Sequence, residues 1–145
     1  MDEAGKRLEQ AGLEPTLNRV LVLTELRNSE RPLTAKEAYE RVLARHRLNR
    51  VTVYRILDLF AEKGVVRRIH SGERSLHYCC RESSWPHGHC HFHCLRCGAV
   101  QCLDAGRLPI SEEALEAALP IAAGVVSNIE LRFDGVCPAC EAKTE

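Results

Sequence analysis

The chain has no long hydrophobic run. Among its 145 residues, no apolar stretch approaches the roughly eighteen residues of a membrane-spanning helix. The opening residues MDEAGKRLEQAG read as a polar amphipathic helix and lack the apolar core of a signal peptide. Both absences argue against a membrane or secreted protein, so we expect the chain to act in the cytoplasm without a membrane partner.

The second feature is an unusual supply of cysteine. The composition, 45% hydrophobic and 28% charged, is that of a globular protein with one ordinary domain or two small ones. In a reducing cytoplasm, eight cysteines are not expected to form a disulfide framework. Metal ligation or redox chemistry is therefore the expected role of the cysteines.

The chain has no net charge, but the two halves differ. Residues 1–81 carry sixteen Lys and Arg against eleven Asp and Glu, whereas residues 82–145 carry four against nine. A basic N-terminal module that meets a polyanion would explain this split, although chance variation on solvated faces is an alternative. We place the domain boundary between residues 1–82 and 83–145.

The N-terminal half predicts three helices and a hairpin. Thr16 can cap a helix that begins at Leu17, and Thr34 with Glu37 has the spacing of a capping box. A third helix, stopped by Gly64, has apolar residues at helical spacing: Val53, Ile56, Leu57 and Phe60. The runs VVRRIH and SLHYC, around the turn SGER, predict two strands.

The opposite face of this third helix has the composition of a DNA-reading helix. Near its start it carries residue types that bond phosphates and base edges in a major groove: Asn49, Arg50, Thr52, Tyr54 and Arg55. Three helices followed by a hairpin form a winged helix-turn-helix. A protein-binding module with solvated Arg and Tyr side chains is the alternative reading.

Two CxxC pairs predict a structural zinc site. Cys94 and Cys97 form the first pair, and Cys137 and Cys140 form the second. Four thiolates satisfy the tetrahedral preference of zinc and leave no open coordination position. Gly98 and Gly135 flank the pairs and are expected to serve tight turns. A thioredoxin-like redox pair would need only one CxxC in a βαβ setting.

The remaining Cys and His residues exceed the needs of one ion. If HCHFHC is a strand, His89, His91 and His93 share one face, so imidazoles can converge on a second metal. Cys79 and Cys102 are the expected thiolate partners, and such mixed N/S ligation favours zinc. Further candidates are Cys90, His70 and His87. A buried Cys is often only a small apolar residue, and a His is often on the surface.

The C-terminal half predicts a small α/β layer. SEEALEAALP reads as a capped helix that is stopped by Pro120, and VVSNIELRF reads as a strand. This half forms a thin core, for which zinc and strand pairing with a second copy are the usual remedies. The expected fold class is α+β: a winged helix-turn-helix domain followed by a small α/β dimerisation domain with a four-cysteine zinc site.

Over nearly its whole length the chain resembles the ferric uptake regulator superfamily. The motifs that carry the resemblance are EPTLNRVLVL, TAKEAYERV, RVTVYRILDLFAEKGVV, HCHFHCLRCGAV and CPAC. The resemblance implies a homodimeric, metal-responsive repressor that binds a palindromic double-stranded operator. It implies that Tyr54 and Arg55 lie on the DNA-reading helix, that Arg19 matches a family position, and that the four CxxC cysteines hold structural zinc.

Departures from the family pattern indicate which metal is sensed. The histidine that iron and peroxide sensors carry before SAEDLY is replaced by Pro32 or Leu33, and HHDH is replaced by HCHFHC, with Cys90 at the aspartate position. The zinc-uptake branch is similar in its wing-end cysteine, matched by Cys79, and in its histidines, matched by His89 and His91. His87 is a further match, and His70 and Cys102 are alternatives for one more ligand.

The resulting prediction is a repressor with zinc as corepressor, carrying one structural Zn²⁺ and a second, regulatory Zn²⁺ per chain. An iron, nickel or peroxide sensor of the same superfamily is the nearest alternative, and a thiol redox sensor is another. A zinc deaminase is disfavoured, because no glutamate stands beside the histidines in an HxE arrangement. We therefore predict no enzymatic activity.

Overall fold

A computed structural model describes residues 2–71, 75–80, 88–118 and 129–143. The chain divides into two compact units, Met1–Arg81 and Glu82–Glu145. Within the described ranges, no helix combines the length and the apolar character that crossing a membrane requires.

The first unit contains four helices, each with a polar side chain at its N-cap. They are α1 (Glu3–Gln10), α2 (Leu17–Asn28), α3 (Ala35–Leu43) and α4 (Arg50–Glu62). The caps are Asp2, Thr16, Thr34 and Asn49, and each accepts a hydrogen bond from a backbone N–H of the first turn. The capping box predicted for Thr34 and Glu37 is present in both directions.

The core of this unit is built around α4. Its predicted apolar stripe is buried, and Phe60 and Leu57 are fully enclosed. The stripe packs against buried residues of the other helices, including Leu8, Leu23 and Val42. The helix ends where predicted, and Gly64 takes a φ of 74°, a left-handed conformation that suits glycine.

Three short strands complete the first unit. They are β1 (Leu33–Thr34), β2 (Arg67–Ser71) and β3 (Ser75–Cys79), in the antiparallel order β1-β3-β2. Arg7 of α1 donates hydrogen bonds to the carbonyl of Cys80, just after β3, and to that of Val65, just after α4. The hairpin of β2 and β3 is the wing, and with the helices it forms the predicted winged helix. The predicted turn, residues 72–74, lies outside the described residues.

The second unit contains a three-stranded sheet. Its strands are β4 (Gly88–Cys94), β5 (Val100–Leu103) and β6 (Ile129–Gly135), in the order β5-β4-β6. The central strand β4 pairs antiparallel with β5 and parallel with β6. A 3₁₀ helix (Ala105–Arg107) and the helices α5 (Glu112–Ala118) and α6 (Pro138–Ala142) complete the described elements.

One face of this sheet carries the unit's hydrophobic cluster. Cys90 and Ile129 are buried there and pack with Leu108, Leu115 and Leu131. Ser111 caps α5 as the sequence predicts, through a hydrogen bond from the N–H of Ala114 to its Oγ. The predicted helix stop at Pro120 and the first part of the predicted last strand, residues 125–128, lie outside the described residues.

Candidate metal centres and nucleic-acid interface

The two CxxC pairs meet because β4 and β6 run parallel and end side by side. Cys94 is the last residue of β4 and lies opposite Gly135, the last residue of β6. The N–H of Leu95 donates to the Gly135 carbonyl at 2.7 Å and holds the ends of the two strands together. The sulfur atoms of the four predicted ligands consequently lie within 4.8 Å of one another: Cys94, Cys97, Cys137 and Cys140.

The geometry of this cluster fits a tetrahedral metal. Four sulfurs at about 2.3 Å from a zinc ion lie about 3.8 Å apart along each edge of the tetrahedron. The Sγ atoms of Cys97 and Cys137 are 3.8 Å apart. The backbone N–H groups of Cys97 and Cys137 point to the Cys94 sulfur at 3.5 and 3.3 Å. Such N–H groups soften the charge of a metal-bound thiolate.

The acidity of the thiols also favours a cation at this position. Backbone N–H groups, that of Cys97 first and that of Cys137 next, lower the pKa of Cys94 to about 6. Hydrogen bonding to the neighbouring Cys137 raises the pKa of Cys140 to about 12, with burial and the other thiols adding to the shift. Four thiols this close cannot all ionise unless a cation balances them, which a dication does.

The two glycines near the cluster have different roles. Gly98 follows the first pair with a φ of 76°, so it serves the tight turn that was predicted. Gly135, for which the same role is expected, is the last residue of β6, and its φ is not positive. A Cβ at position 135 would instead lie 3.1 Å from the ring of Phe92. A larger residue there would require the Phe92 ring to shift by a few tenths of an ångström.

A second group of ligand atoms lies on the opposite face of the sheet from Cys90. Strand pairing sets His91 of β4 directly opposite Cys102 of β5, and His89 lies two residues before His91 on the same face. The ligand atoms of these three side chains lie within 4.8 Å of one another. The two imidazole rings meet edge to face, with centroids 4.3 Å apart. Two imidazoles and one thiol form a donor set suited to zinc.

The surroundings of His91 are the strongest indication that this group binds a metal ion. The residue is 1% exposed, and neither ring nitrogen has a hydrogen-bond partner among the described residues. Buried polar atoms normally have a partner, so one of these nitrogens is suited to bind a metal. Glu130 Oε1 lies 4.0 Å from His91 Nδ1, where a carboxylate can orient a metal-binding imidazole through its other nitrogen.

Glu130 is absent from the set of residues that the sequence singled out. The alternation of Glu130, Arg132 and Asp134 along β6 was a signal for their shared face. Its alignment with the histidines depends on the parallel register with β4, which pairs Glu130 with His89. The sequence does not specify that register.

Two other predicted metal ligands, Cys79 and His70, belong to the first unit. Cys79 is buried at the end of β3 in the first unit, and His70 is exposed on β2. Cys79 pairs with Arg67 and His70 with Leu76, so the two lie three residue pairs apart along the hairpin. His87 lies outside the described residues.

Cys90 and Cys80 are both packed in hydrophobic surroundings. Cys90 belongs to the cluster beneath α5, and Cys80 belongs to the core of the first unit. Burial raises the pKa of both thiols. A raised pKa favours the neutral thiol and disfavours the thiolate that binds metal.

The predicted DNA-reading side chains lie at the start of α4 and near the start of α2. Arg50 and Arg55 are exposed, whereas Thr52 and Tyr54 are half-buried. Tyr54 packs against the core cluster. The guanidinium of Arg19 donates to the carbonyl of Glu14 at 2.9 Å.

Two further contacts organise this face of the first unit. The side chain of Asn49, which the sequence placed among base-reading residue types, accepts a hydrogen bond from the N–H of Val51 at 2.8 Å and so caps α4. Arg68 of the wing forms an ion pair with Asp58 of α4 at 3.1 Å.

A winged helix followed by a small sheet with a four-thiol site defines a class of metal-binding transcription regulators. The protein-family model described as "Ferric uptake regulator family" matches residues 10–118 of the chain. The ferric uptake regulation protein of Bacillus subtilis (strain 168) is 30% identical over 145 residues, which cover 99% of this chain and 95% of that protein. The chain therefore belongs to the ferric uptake regulator family.

Solved structures agree with this membership. The Vibrio cholerae ferric uptake regulator has a TM-score of 0.69 and 27% identity, with 92% of this chain and 98% of that chain covered. A zinc uptake regulator complexed with zinc and DNA has a TM-score of 0.62 and 27% identity, with 99% and 94% covered. As a member of this family, the chain is a metal-responsive, DNA-binding repressor and not an enzyme.

Proposed function

We propose that zinc is the corepressor of this regulator and that it controls metal-uptake genes. The observation that carries the proposal is the group formed by His89, His91 and Cys102, in which His91 is buried and its ring nitrogens have no hydrogen-bond partner in the described part of the chain. A thiolate beside imidazoles favours zinc over metals that prefer oxygen ligands. The likeness to a zinc uptake regulator that binds zinc and DNA supports the same choice.

The two halves of the chain have different functions, DNA binding in the first and dimerisation with metal binding in the second. Residues 1–82 bind the operator through Arg19, Arg50, Thr52, Tyr54 and Arg55. Residues 83–145 form the dimer and hold the metals. Zinc on the four CxxC cysteines is structural, because the four thiolates fill all of its coordination positions. The ion connects the end of β4 to the end of β6. In the cytoplasm, the homodimer binds a palindromic operator with one reading helix in each half-site.

The regulatory zinc takes its fourth ligand from the wing. Two imidazoles and one thiolate leave one position of a tetrahedral ion to fill, and Cys79, the last residue of β3, is the thiolate that we assign to it. Zinc would then link the wing to the metal-binding half and select the form that binds DNA. A preference of about 1 to 3 kcal/mol changes operator affinity roughly 5- to 150-fold.

Counting bound zinc tests the regulatory site. Protein dialysed against a weak zinc buffer should hold two zinc ions per chain, and the His91→Ala variant should hold one. Cys90→Ala is the matched control, because Cys90 is the next residue along β4 and packs on the other face. This control should retain both ions. One zinc in all three proteins would overturn the regulatory site and leave only the structural one.

The Cys79→Ala variant tests the coupling to DNA separately. We expect it to retain the structural zinc but to lose most of the zinc-dependent gain in operator affinity, measured by fluorescence anisotropy at fixed salt. If the zinc-dependent gain in operator affinity equals that of the wild type, Cys79 is not a ligand of the regulatory zinc. The proposal for His89, His91 and Cys102 would then still stand.

An iron-responsive repressor is the second candidate, because curated relatives at 30–35% identity are named ferric uptake regulation proteins. The two candidates separate when DNA binding is titrated with Fe²⁺ under anaerobic conditions and with Zn²⁺ in a chelator buffer. Activation by zinc at a much lower free concentration supports the zinc proposal. Activation by iron alone would replace zinc with iron as the corepressor.

A further inference from the structure

The DNA-reading helix exposes an apolar side chain within its basic face. Val51 is 54% exposed, follows Arg50 directly and precedes Arg55 by four residues. Residues four apart on a helix are neighbours on one face, so the isopropyl group of Val51 lies beside the side chain of Arg55. The core stripe of α4 lies on its other side and does not include Val51.

Among the residues of the first unit that the structure describes, nothing accounts for valine at this position. A β-branched residue in the first turn lowers helix propensity slightly, and an exposed side chain gains little from burial. The backbone at this point is nevertheless held in place, because Asn49 Oδ1 accepts the Val51 N–H at 2.8 Å. An apolar group is therefore presented at a fixed place on a surface that meets DNA.

We propose that Val51 contacts the C5-methyl group of a thymine in the major groove and is a specificity-determining residue of this repressor. Thymine is the only base of unmodified DNA that presents a methyl group there. The flanking guanidinium groups of Arg50 and Arg55 attract the polyanion and hold the helix against it. The inference rests on the assignment of DNA binding to residues 1–82, and it adds the recognition of one base by one side chain.

Replacing thymine by uracil tests this contact directly, because uracil lacks only the methyl group. A duplex is first selected from a random pool by the zinc-loaded wild-type protein. Uracil then replaces each thymine in turn, in both half-sites. At one position per half-site, we expect binding to weaken about fourfold for each methyl group removed. In the Val51→Ala variant, the same replacement should have almost no effect.

Leu43→Ala is the matched control, since Leu43 is 48% exposed but lies on α3. It should respond to uracil as the wild type does, and thermal unfolding should show all three proteins equally folded. Equal uracil responses in wild type and Val51→Ala would overturn the proposal. If the wild type selects no sequence at all, the assignment of DNA binding to this unit fails, and the inference fails with it.

Discussion

His91 lies directly opposite Cys102 in the antiparallel pair of β4 and β5, so an imidazole and a thiol share one face of the sheet. Gln101, the residue before Cys102, pairs with Phe92 and points to the other face. A shift of one residue in this register would exchange the two faces and remove the thiol from the histidines. The candidate regulatory site therefore depends on strand register as much as on ligand identity.

Exchanging the thiol for a carboxylate should change which metal binds. In the Cys102→Asp variant, we expect zinc affinity to fall by at least about tenfold, while Mn²⁺ and Fe²⁺ lose less, because oxygen is a harder ligand. Competition with a chromophoric chelator measures each affinity. Gln101→Asp adds the same charge on the other face and should leave zinc affinity near that of the wild type. Equal losses in both variants would mean that charge, and not ligation, explains the effect.

Arg55 and Arg50 should contribute to DNA binding in different ways. Arg55 shares its face with Val51, so we expect Arg55→Ala to cost about 1 to 3 kcal/mol and to relax the preference for one base. Arg50→Ala should weaken binding to all sequences alike and reduce the slope of log affinity against log salt by about one. Anisotropy titrations at several salt concentrations separate the two effects. A reduced salt slope with unchanged base preference in both variants would make Arg55 a phosphate contact as well.

The capping box of α3 should contribute an acid-sensitive part of the stability. Partial burial alone would raise the pKa of Glu37, but hydrogen bonds from the Arg31 guanidinium at 2.6 Å and from Thr34 hold it at about 2. Because the folded-state pKa is lowered, this stability is present above about pH 4.5, the ordinary range of Glu, and is lost as the pH falls towards 2.

Urea unfolding of the wild type and Glu37→Gln measures this contribution. At pH 7 we expect the wild type to be more stable by about 1 kcal/mol, since solvent screens a partly exposed ion pair. The difference should shrink towards zero as the pH falls to 2. Loss of zinc in acid affects both proteins and cancels in the comparison. A difference that stays constant with pH would show that the carboxylate charge is not responsible.

Replacing either glycine beside the four-cysteine site with alanine should lower the stability, for a different reason in each case. Gly98→Ala is expected to cost about 1 to 2 kcal/mol, because its left-handed backbone disfavours a Cβ. Gly135→Ala is expected to cost about 1 to 3 kcal/mol through overlap with the Phe92 ring.

Adding Phe92→Leu distinguishes the two causes by thermal unfolding of the zinc-loaded protein. The second change should recover part of the loss in Gly135→Ala, because it removes the ring atoms that the new Cβ meets. It should recover nothing in Gly98→Ala. Equal recovery in both would attribute the loss to general packing around the site.

Local patterns predicted much of the first unit correctly. The Thr34 and Glu37 spacing gave the capping box, and the apolar stripe with Gly64 gave the extent of α4. These features depend on residues within a few positions of one another, where helix geometry is fixed. The role of Asn49 was not predictable in the same way, because a residue that suits a base contact also suits an N-cap.

The amino-acid sequence by itself determined the helices, the wing, the CxxC pairs and the alternation of histidines along β4, because these follow from backbone periodicity and ligand chemistry. Only the tertiary structure supplied the strand pairing that brings the predicted ligands together. Parallel pairing of β4 with β6 joins strands more than thirty residues apart and brings Cys137 to Cys94. Register with β5 sets Cys102 beside His91 and leaves Cys90 in the core. Such long-range pairing depends on the packing of whole strands, which no local pattern specifies.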